Sequence, residues 1–115
     1  DYLENGSHTQ FYGGDTRVGF VYLDDPSSIE KVVANLEPVS YAFDMVQTTA
    51  AIDAGWFGPI GKEAKNRLPE LLLLGKSNYT LYHSKYFKPR SFEMISHHGA
   101  LSPAETRIPL IRFGV

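Results

Sequence analysis

The chain has 115 residues, enough for one domain with a single hydrophobic core. Hydrophobic residues make up 43% and charged residues 21%, and seven Tyr, seven Phe and one Trp supply bulky apolar surface, which excludes a disordered chain. The net charge is −2, but positions 1–60 hold nine acidic and two basic residues, whereas positions 61–115 hold four acidic and nine basic residues.

This charge asymmetry has two interpretations. The two halves could pack together and partly neutralise each other, which is the ordinary situation in a small domain. Alternatively, the basic half could attract an anionic partner.

The absence of cysteine excludes disulfides and thiolate metal sites, and it favours a reducing compartment, so we predict a cytoplasmic location. The longest apolar run, Leu71 to Leu74, is too short to span a bilayer, so no membrane partner is expected. The first residues show neither a signal peptide nor a methionine, and we expect the chain to be an excised piece of a longer protein.

The first third of the chain contains a turn, a strand and a helix. Residues 1–9 are polar and are predicted to be mobile, and residues 13–15 (GGD) read as a turn. Residues 18–23 (VGFVYL) predict a strand because β-branched and aromatic side chains dominate. Asp25 before Pro26 predicts a helix start, with a capping box from Ser27 to Glu30 as the competing register. The helix is predicted from apolar residues at helical spacing and ends at a proline: Ile29, Val32, Val33, Leu36 and Pro38.

The middle of the chain alternates short elements. Residues 41–46 predict a half-buried strand. Thr48 or Thr49 is predicted to cap a short helix that Gly55 closes. Trp56 and Phe57 follow in a loop, where they could line the mouth of an active site, although plugging the core is the preferred interpretation.

The last part of the chain predicts a helical turn at 62–67, a buried strand at 70–74 and a returning hairpin strand at 79–83. A short extended segment at 92–95 and a capped helical turn at 102–105 are expected next, the latter with Ser102 and Glu105 as a capping box. Residues 108–113 (IPLIRF) predict a last strand, with Pro109 at an edge position. Together these elements predict an α+β fold, a two-layer α/β sandwich of a small, mostly antiparallel sheet with two short helices.

Two stretches carry a family resemblance. Residues 97–105 (HHGALSPAE), followed by 108–111 (IPLI), resemble the closing motif of the alkaline phosphatase superfamily. In its phosphodiesterase, nucleotide pyrophosphatase and phosphonoacetate hydrolase branches, a His-Gly turn precedes an acidic residue and a Pro-Leu-Ile type strand. Residues 50–59 (AAIDAGWFGP) and 67–74 (RLPELLLL) look like the cap region of actinobacterial members, except that Leu68-Pro69-Glu70 replaces an Ile-Gly-Asp sequence.

The resemblance implies a metal-dependent phosphoester hydrolase that uses two metal ions, usually zinc, near a Thr or Ser nucleophile. The histidine of the closing motif corresponds to His98, which the resemblance implies is a metal ligand. An Asp-His-Gly segment and the nucleophile are not matched here, so they are expected in an upstream catalytic domain of the same polypeptide. The chain alone is expected to be inactive and to bind zinc weakly or not at all.

The resemblance also divides the chain. After the polar segment 1–9, it implies an α/β cap-like domain at 10–96 and a closing motif with the last strand of the catalytic domain at 97–115. That strand would pair with the upstream domain or, with its partner missing, with a second copy in a homodimer.

Without the family resemblance, the two histidines and the basic residues have alternative interpretations. Adjacent residues of a strand point to opposite faces, so His97 and His98 are not expected to bind one metal; the ordinary alternative is one exposed and one hydrogen-bonded histidine. A segment without acidic residues, 71–92, interleaves lysine, arginine and aromatic side chains. Within it, Lys85, Lys88 and Arg90 are candidate contacts for a phosphoester substrate, while a solvated hairpin face is the ordinary alternative. Nucleic acid is not expected as a partner. The rival function is a small α/β module that binds an anionic or nucleotide ligand through residues 76–90.

Overall fold

The computed structural model of the chain describes residues 9–83 and 87–114, with the side chains of residues 9–11 left out of the description. Its centre is an antiparallel sheet of four strands: β1 (Thr9–Gly14), β2 (Val18–Leu23), β3 (Phe43–Gln47) and β4 (Leu71–Gly75). The strand order is β1-β2-β4-β3. The predicted α+β class, with a small antiparallel sheet and short helices, is confirmed.

The central position of β4 explains its uninterrupted run of leucines. It pairs with β2 on one side and with β3 on the other, and Leu73 faces Gly19 and Met45. A strand with neighbours on both edges and apolar contacts on both faces needs no polar alternation. Leu71, Leu72 and Leu73 are therefore all buried.

The hydrophobic core lies between one face of the sheet and α1 (Ile29–Leu36). The predicted helical stripe is confirmed, since Val32 and Leu36 are only 1% and 2% exposed. Burying a side chain of this size stabilises the fold by about 1.5–3 kcal/mol relative to leaving it in water. The buried cluster comprises Tyr12, Val21, Leu23, Val32, Leu36, Phe43, Leu71 and Leu73.

The predicted start of the first helix is also confirmed. The Asp25 carboxylate accepts a hydrogen bond from the backbone N–H of Ser27 at 2.9 Å, and Pro26 occupies the first position of a short 3₁₀ turn that leads into α1. Proline fits there because its missing N–H has no partner in the first turn. A second 3₁₀ turn, Glu37–Val39, follows the end of α1.

The second helix, α2 (Thr48–Asp53), ends before Gly55, whose φ of +79° suits glycine at this position. The predicted threonine cap is wrong. Residue Gln47 precedes the helix and makes no side-chain cap, while the buried hydroxyl of Thr48 lacks a partner within the described residues. The backbone N–H of Thr48 instead donates to the Glu70 carbonyl at 3.0 Å, so it extends the pairing of β3 with β4.

Two predicted strands do not form. Residues 79–83 are irregular, because both edges of β4 are already filled and a further hairpin strand has no place beside it. The described residues 108–114 form no strand either, and Ile108, Leu110 and Phe113 are 82%, 88% and 90% exposed. A strand needs a neighbour to receive its backbone hydrogen bonds, and this segment pairs with none of the four described strands.

Three smaller predictions have mixed outcomes. The predicted helical turn after residue 61 is confirmed as α3 (Lys62–Lys65). The extended segment predicted at 92–95 is wrong in its first half, which belongs to a 3₁₀ helix at Pro89–Glu93. The core-plugging interpretation of Trp56 and Phe57 is also wrong, because these side chains are 48% and 39% exposed. In the part of the chain that the structure describes, no helix is long and apolar enough to cross a bilayer.

Candidate functional site

The site is built on the turn between β1 and β2. Gly14 enters this turn with a φ of +86°, and a Cβ atom at that position would lie 2.4 Å from the carbonyl oxygen of Val18. Only glycine avoids that overlap. The backbone N–H of Asp15 donates to the same carbonyl at 2.8 Å and closes the turn. The turn thereby presents three consecutive side chains, those of Asp15, Thr16 and Arg17.

Arg17 is a buried cation, with 5% of its surface exposed. Its guanidinium group donates to the carbonyl oxygens of Gly75 at 2.9 Å and of Lys76 at 3.4 Å, and also to that of Tyr79. A Cβ atom at position 75 would lie 2.5 Å from Nη1 of Arg17, so the end of β4 can receive the guanidinium group only because residue 75 is glycine. Arg17 therefore fixes the chain that follows β4.

Glu105 completes the charge pairing of Arg17. Its two carboxylate oxygens accept from Nε and Nη2 of Arg17, both at 2.8 Å, in the forked geometry that gives the strongest ion pairs. The hydrogen bonds from Arg17, with smaller contributions from Ser102 and the backbone of Ala100, hold the pKa of Glu105 well below its ordinary value. This contact joins α4 (Pro103–Thr106) to the sheet.

The predicted capping box at Ser102 and Glu105 is wrong in detail, although a structural role for Glu105 is confirmed. Ser102 makes no side-chain cap; its hydroxyl donates to Oε2 of Glu105 at 2.5 Å. The other oxygen of Glu105 accepts from the backbone N–H of Ala100 at 2.9 Å. The carboxylate faces Arg17 and is therefore not directed at the free N–H of the helix start.

His97 is hydrogen-bonded through both ring nitrogens. Nδ1 lies 2.9 Å from the hydroxyl oxygen of Thr16, and Nε2 lies 3.1 Å from the carbonyl oxygen of Met94. The ring also stands edge-on to Tyr82, with 6.1 Å between the ring centroids. Neither nitrogen of His97 is left for a ligand.

His98 has the opposite character, with 90% of its side chain exposed. Its Nδ1 contacts the carboxylate of Asp15, while Nε2 has no partner among the described residues. Burial of Asp15 by itself would raise the pKa of that carboxyl group, but the hydrogen bonds from His98 and from Thr16 outweigh it and lower the pKa. Asp15 is thus an ionised carboxylate beside an exposed imidazole. The expectation of one exposed and one hydrogen-bonded histidine is met by this arrangement.

A cleft of about 370 Å³ opens beside the two histidines. It falls within the range of volumes found for small-molecule sites. Its walls mix aromatic, hydroxyl and titratable side chains: Asp15, Thr16, Tyr82, Phe87, Ser91, Met94, Ser96, His97 and His98. The structure therefore brings His98 together with residues from the first turn of the sheet and from the segment after β4.

The three predicted substrate contacts have different outcomes. Lys85 lies outside the described residues. Lys88 and Arg90 are exposed and lie in the short segment between Phe87 and Ser91, two residues that line the cleft. By contrast, Lys76 of the same basic stretch lies 3.0 Å from Asp44 and donates to the Ser40 carbonyl at 2.9 Å. Its ammonium group therefore stabilises the fold through internal contacts.

The described residues contain no group of three or more His, Asp or Glu side chains that could hold a metal ion. Nε2 of His98 has no partner among the described residues, and the adjacent Asp15 carboxylate is already engaged by His98 and Thr16. A four-coordinate zinc sphere would therefore need donors from elsewhere. A histidine whose other nitrogen is held by a carboxylate nevertheless fits the surroundings usual for a zinc ligand.

Sequence reasoning missed Asp15, Thr16 and Arg17 as parts of the site. The sequence predicts only a turn at Asp15, and the partners of these three residues lie more than 80 positions away along the chain. The chain matches no protein-family model, and neither the curated proteins nor the solved structures show a significant similarity to it.

Proposed function

We propose that this chain is the C-terminal part of a metal-dependent phosphoester hydrolase of the phosphodiesterase or nucleotide pyrophosphatase type. In this proposal the catalytic domain lies upstream in the same polypeptide and supplies the nucleophile and the remaining metal ligands. The chain contributes one ligand and a wall of the substrate cleft. Alone, it is inactive.

The observation that supports the proposal best is the state of His98. It is the histidine that the resemblance to the closing motif implies as a ligand. Its exposed side chain lines the cleft, Asp15 holds its Nδ1, and Nε2 has no partner among the described residues. His97, which the resemblance does not implicate, uses both nitrogens for internal hydrogen bonds. Divalent zinc bound at such a site would polarise the phosphoryl group and neutralise the charge that develops during its transfer.

The proposal assigns the substrate contacts to the basic segment beside the cleft. Lys88 and Arg90 are exposed, and neither forms an ion pair with another described residue, so their charge is available to a phosphoester. Lys85, three residues earlier, remains a prediction. The aromatic walls formed by Tyr82 and Phe87 are suited to the organic part of a small-molecule substrate.

The exposed tail fits the same proposal. Four large apolar side chains in a row of six positions face solvent: Ile108, Leu110, Ile111 and Phe113. In the proposal this segment becomes a strand when the sheet of the upstream domain provides a neighbour. A second copy of the chain is the alternative partner for the same segment.

The deciding experiment uses the full-length protein encoded by the parent gene. His98→Ala should remove at least one bound metal ion per chain and reduce phosphodiesterase activity by several orders of magnitude, because it removes the proposed ligand Nε2. His97→Ala serves as the matched control and should alter stability more than metal content. Equal metal content in His98→Ala and wild type would refute the proposal, as would a parent gene without an upstream Asp-His-Gly segment and nucleophile.

The second candidate function is a module that binds an anionic or nucleotide ligand without chemistry, and the free charge of Lys88 and Arg90 favours it. This candidate predicts that the chain itself binds a nucleotide in the absence of metal, and that Lys88→Ala with Arg90→Ala weakens binding at least about tenfold. Substitution of Lys62 and Lys65 in α3 by alanine is the control for general charge, since these residues are exposed and outside the cleft. Metal-free binding that is insensitive to Lys88 and Arg90 would refute this candidate.

A further inference from the structure

Three consecutive residues of the β1–β2 turn each bind a side chain of residues 97–105, which we call the closing segment. Asp15 contacts His98, Thr16 lies 2.9 Å from His97, and Arg17 pairs with Glu105 at 2.8 Å. These three contacts together fix the position of residues 97–105 on the turn. The histidines are therefore placed by the sheet domain itself, before any upstream domain contributes.

The two histidines must carry their protons on opposite nitrogens. The Met94 carbonyl can only accept a hydrogen bond, so Nε2 of neutral His97 carries the proton and Nδ1 accepts from the Thr16 hydroxyl. An ionised carboxylate also only accepts, so Nδ1 of neutral His98 carries the proton toward Asp15. Of the ring nitrogens of these two histidines, Nε2 of His98 is then the one whose lone pair has no partner among the described residues.

We infer that Asp15 is a positioning residue that fixes His98 as the Nδ1–H tautomer and directs its unprotonated Nε2 to a metal ion or other electrophile at the cleft. The identity of that recipient rests on the function proposed above, whereas the tautomer assignment does not. A carboxylate on the far nitrogen also makes the imidazole a stronger donor.

Asp15 is itself held in place for this task. Its Oδ1 accepts from the Thr16 backbone N–H at 2.5 Å and lies 3.1 Å from the Thr16 hydroxyl, which leaves Oδ2 for His98. The two carboxylate oxygens therefore have separate partners, and the carboxylate cannot rotate without losing the bond to the turn. This rigidity is what distinguishes a positioning residue from a nearby surface charge.

The test reads the tautomers directly in the isolated chain by long-range ¹H–¹⁵N correlation spectroscopy at about pH 8, where ordinary imidazoles are neutral. The expected result is an unprotonated Nδ1 in His97 and an unprotonated Nε2 in His98. Asp15→Ala should lower the ratio of the Nδ1–H to the Nε2–H form of His98 by about fivefold to tenfold, which is the effect of one hydrogen bond. Asp15→Asn, which keeps an acceptor oxygen, should restore part of that ratio.

Thr16→Val is the matched control, because it should release Nδ1 of His97 while His98 keeps its tautomer. A second readout uses zinc ion alone as the probe. Asp15→Ala should weaken the zinc-dependent shift of the His98 signals by about tenfold in apparent affinity. If His98 of the wild-type chain is mainly in the Nε2–H form, the inference is overturned. This measurement needs no variant. Loss of metal in full-length His98→Ala together with a wrong tautomer would refute this inference and leave the proposed function standing.

Discussion

Removing the charge of Glu105 should cost the fold far more than an ordinary surface ion pair does. Glu105→Gln keeps the size and shape of the side chain but leaves the guanidinium of Arg17 without a counter-ion. The side chains of this pair are only 6% and 19% exposed. Uncoupling a buried ion pair by removing one partner destabilises proteins by about 3–5 kcal/mol.

The carbonyl oxygens of Gly75 and Lys76 continue to accept hydrogen bonds from Arg17 in this variant, so the low end of that range applies. We expect a loss of about 3 kcal/mol in the free energy of unfolding, which corresponds to a fall of about 10–15 °C in Tm for a chain of this length. Urea and thermal unfolding followed by circular dichroism at neutral pH provide the measurement.

The matched control is Glu63→Gln. Glu63 pairs with Arg67 at 2.6 Å on the surface, where the two side chains are 82% and 77% exposed. Water and salt screen such a pair, and its removal should cost about 0.5 kcal/mol or less. A loss in Glu105→Gln no larger than that of Glu63→Gln would refute the reasoning that the Arg17–Glu105 contact is a buried ion pair.

Acid supplies an independent check of the same contact. Because Arg17 lowers the pKa of Glu105 in the folded state, the contribution of this carboxylate is fully present above its unfolded pKa of about 4.3 and decreases as the pH falls toward the native pKa. The stability difference between wild type and Glu105→Gln should therefore be constant from about pH 6 to pH 8 and decrease below about pH 4. A stability difference that increases on acidification would contradict a lowered pKa of Glu105 in the folded state.

Four further outcomes follow from the fold and the proposed function. Deleting residues 107–115 should leave Tm within about 2 °C of wild type, because Ile108, Leu110 and Phe113 are exposed; a large loss would place this segment in the local core. Gly75→Ala should destabilise the chain by about 1–3 kcal/mol in urea unfolding, since the new Cβ would lie 2.5 Å from Arg17, and a neutral effect would contradict that close approach. Asp25→Ala should cost about 1 kcal/mol, whereas Asp25→Asn should retain most of the cap. The isolated chain should not hydrolyse bis-nitrophenyl phosphate with added zinc, and turnover that survives purification to homogeneity would overturn the fragment proposal.

Local features of the sequence determined most of the secondary structure. The pairing of Asp25 with Pro26 and the helical spacing from Ile29 to Leu36 predicted the first helix, because capping and amphipathic periodicity act over a few residues. The apolar run of β4 predicted a buried strand, which is likewise a property of a few neighbouring residues. The fold class followed from the order of these elements.

Tertiary structure alone decided which strands find partners. A pattern of β-branched and aromatic residues shows that a segment can be extended, but strand formation needs a free edge beside it. Segment 79–83 cannot form a hairpin with β4, because β2 and β3 occupy both sides of that strand. Segment 108–113 has the composition of a strand, yet it pairs with none of the described strands and remains exposed.

The candidate site divides in the same way. Adjacency alone predicted that His97 and His98 would have different surroundings, which the structure confirms; the role of His98 as a metal ligand stays a proposal. Nothing local could assign Asp15 to His98 or Arg17 to Glu105, because those partners are separated by 83 and 88 positions. Only the packing of the closing segment against the β1–β2 turn brings them together, since a hydrogen bond requires atoms within about 3 Å whatever their distance along the chain.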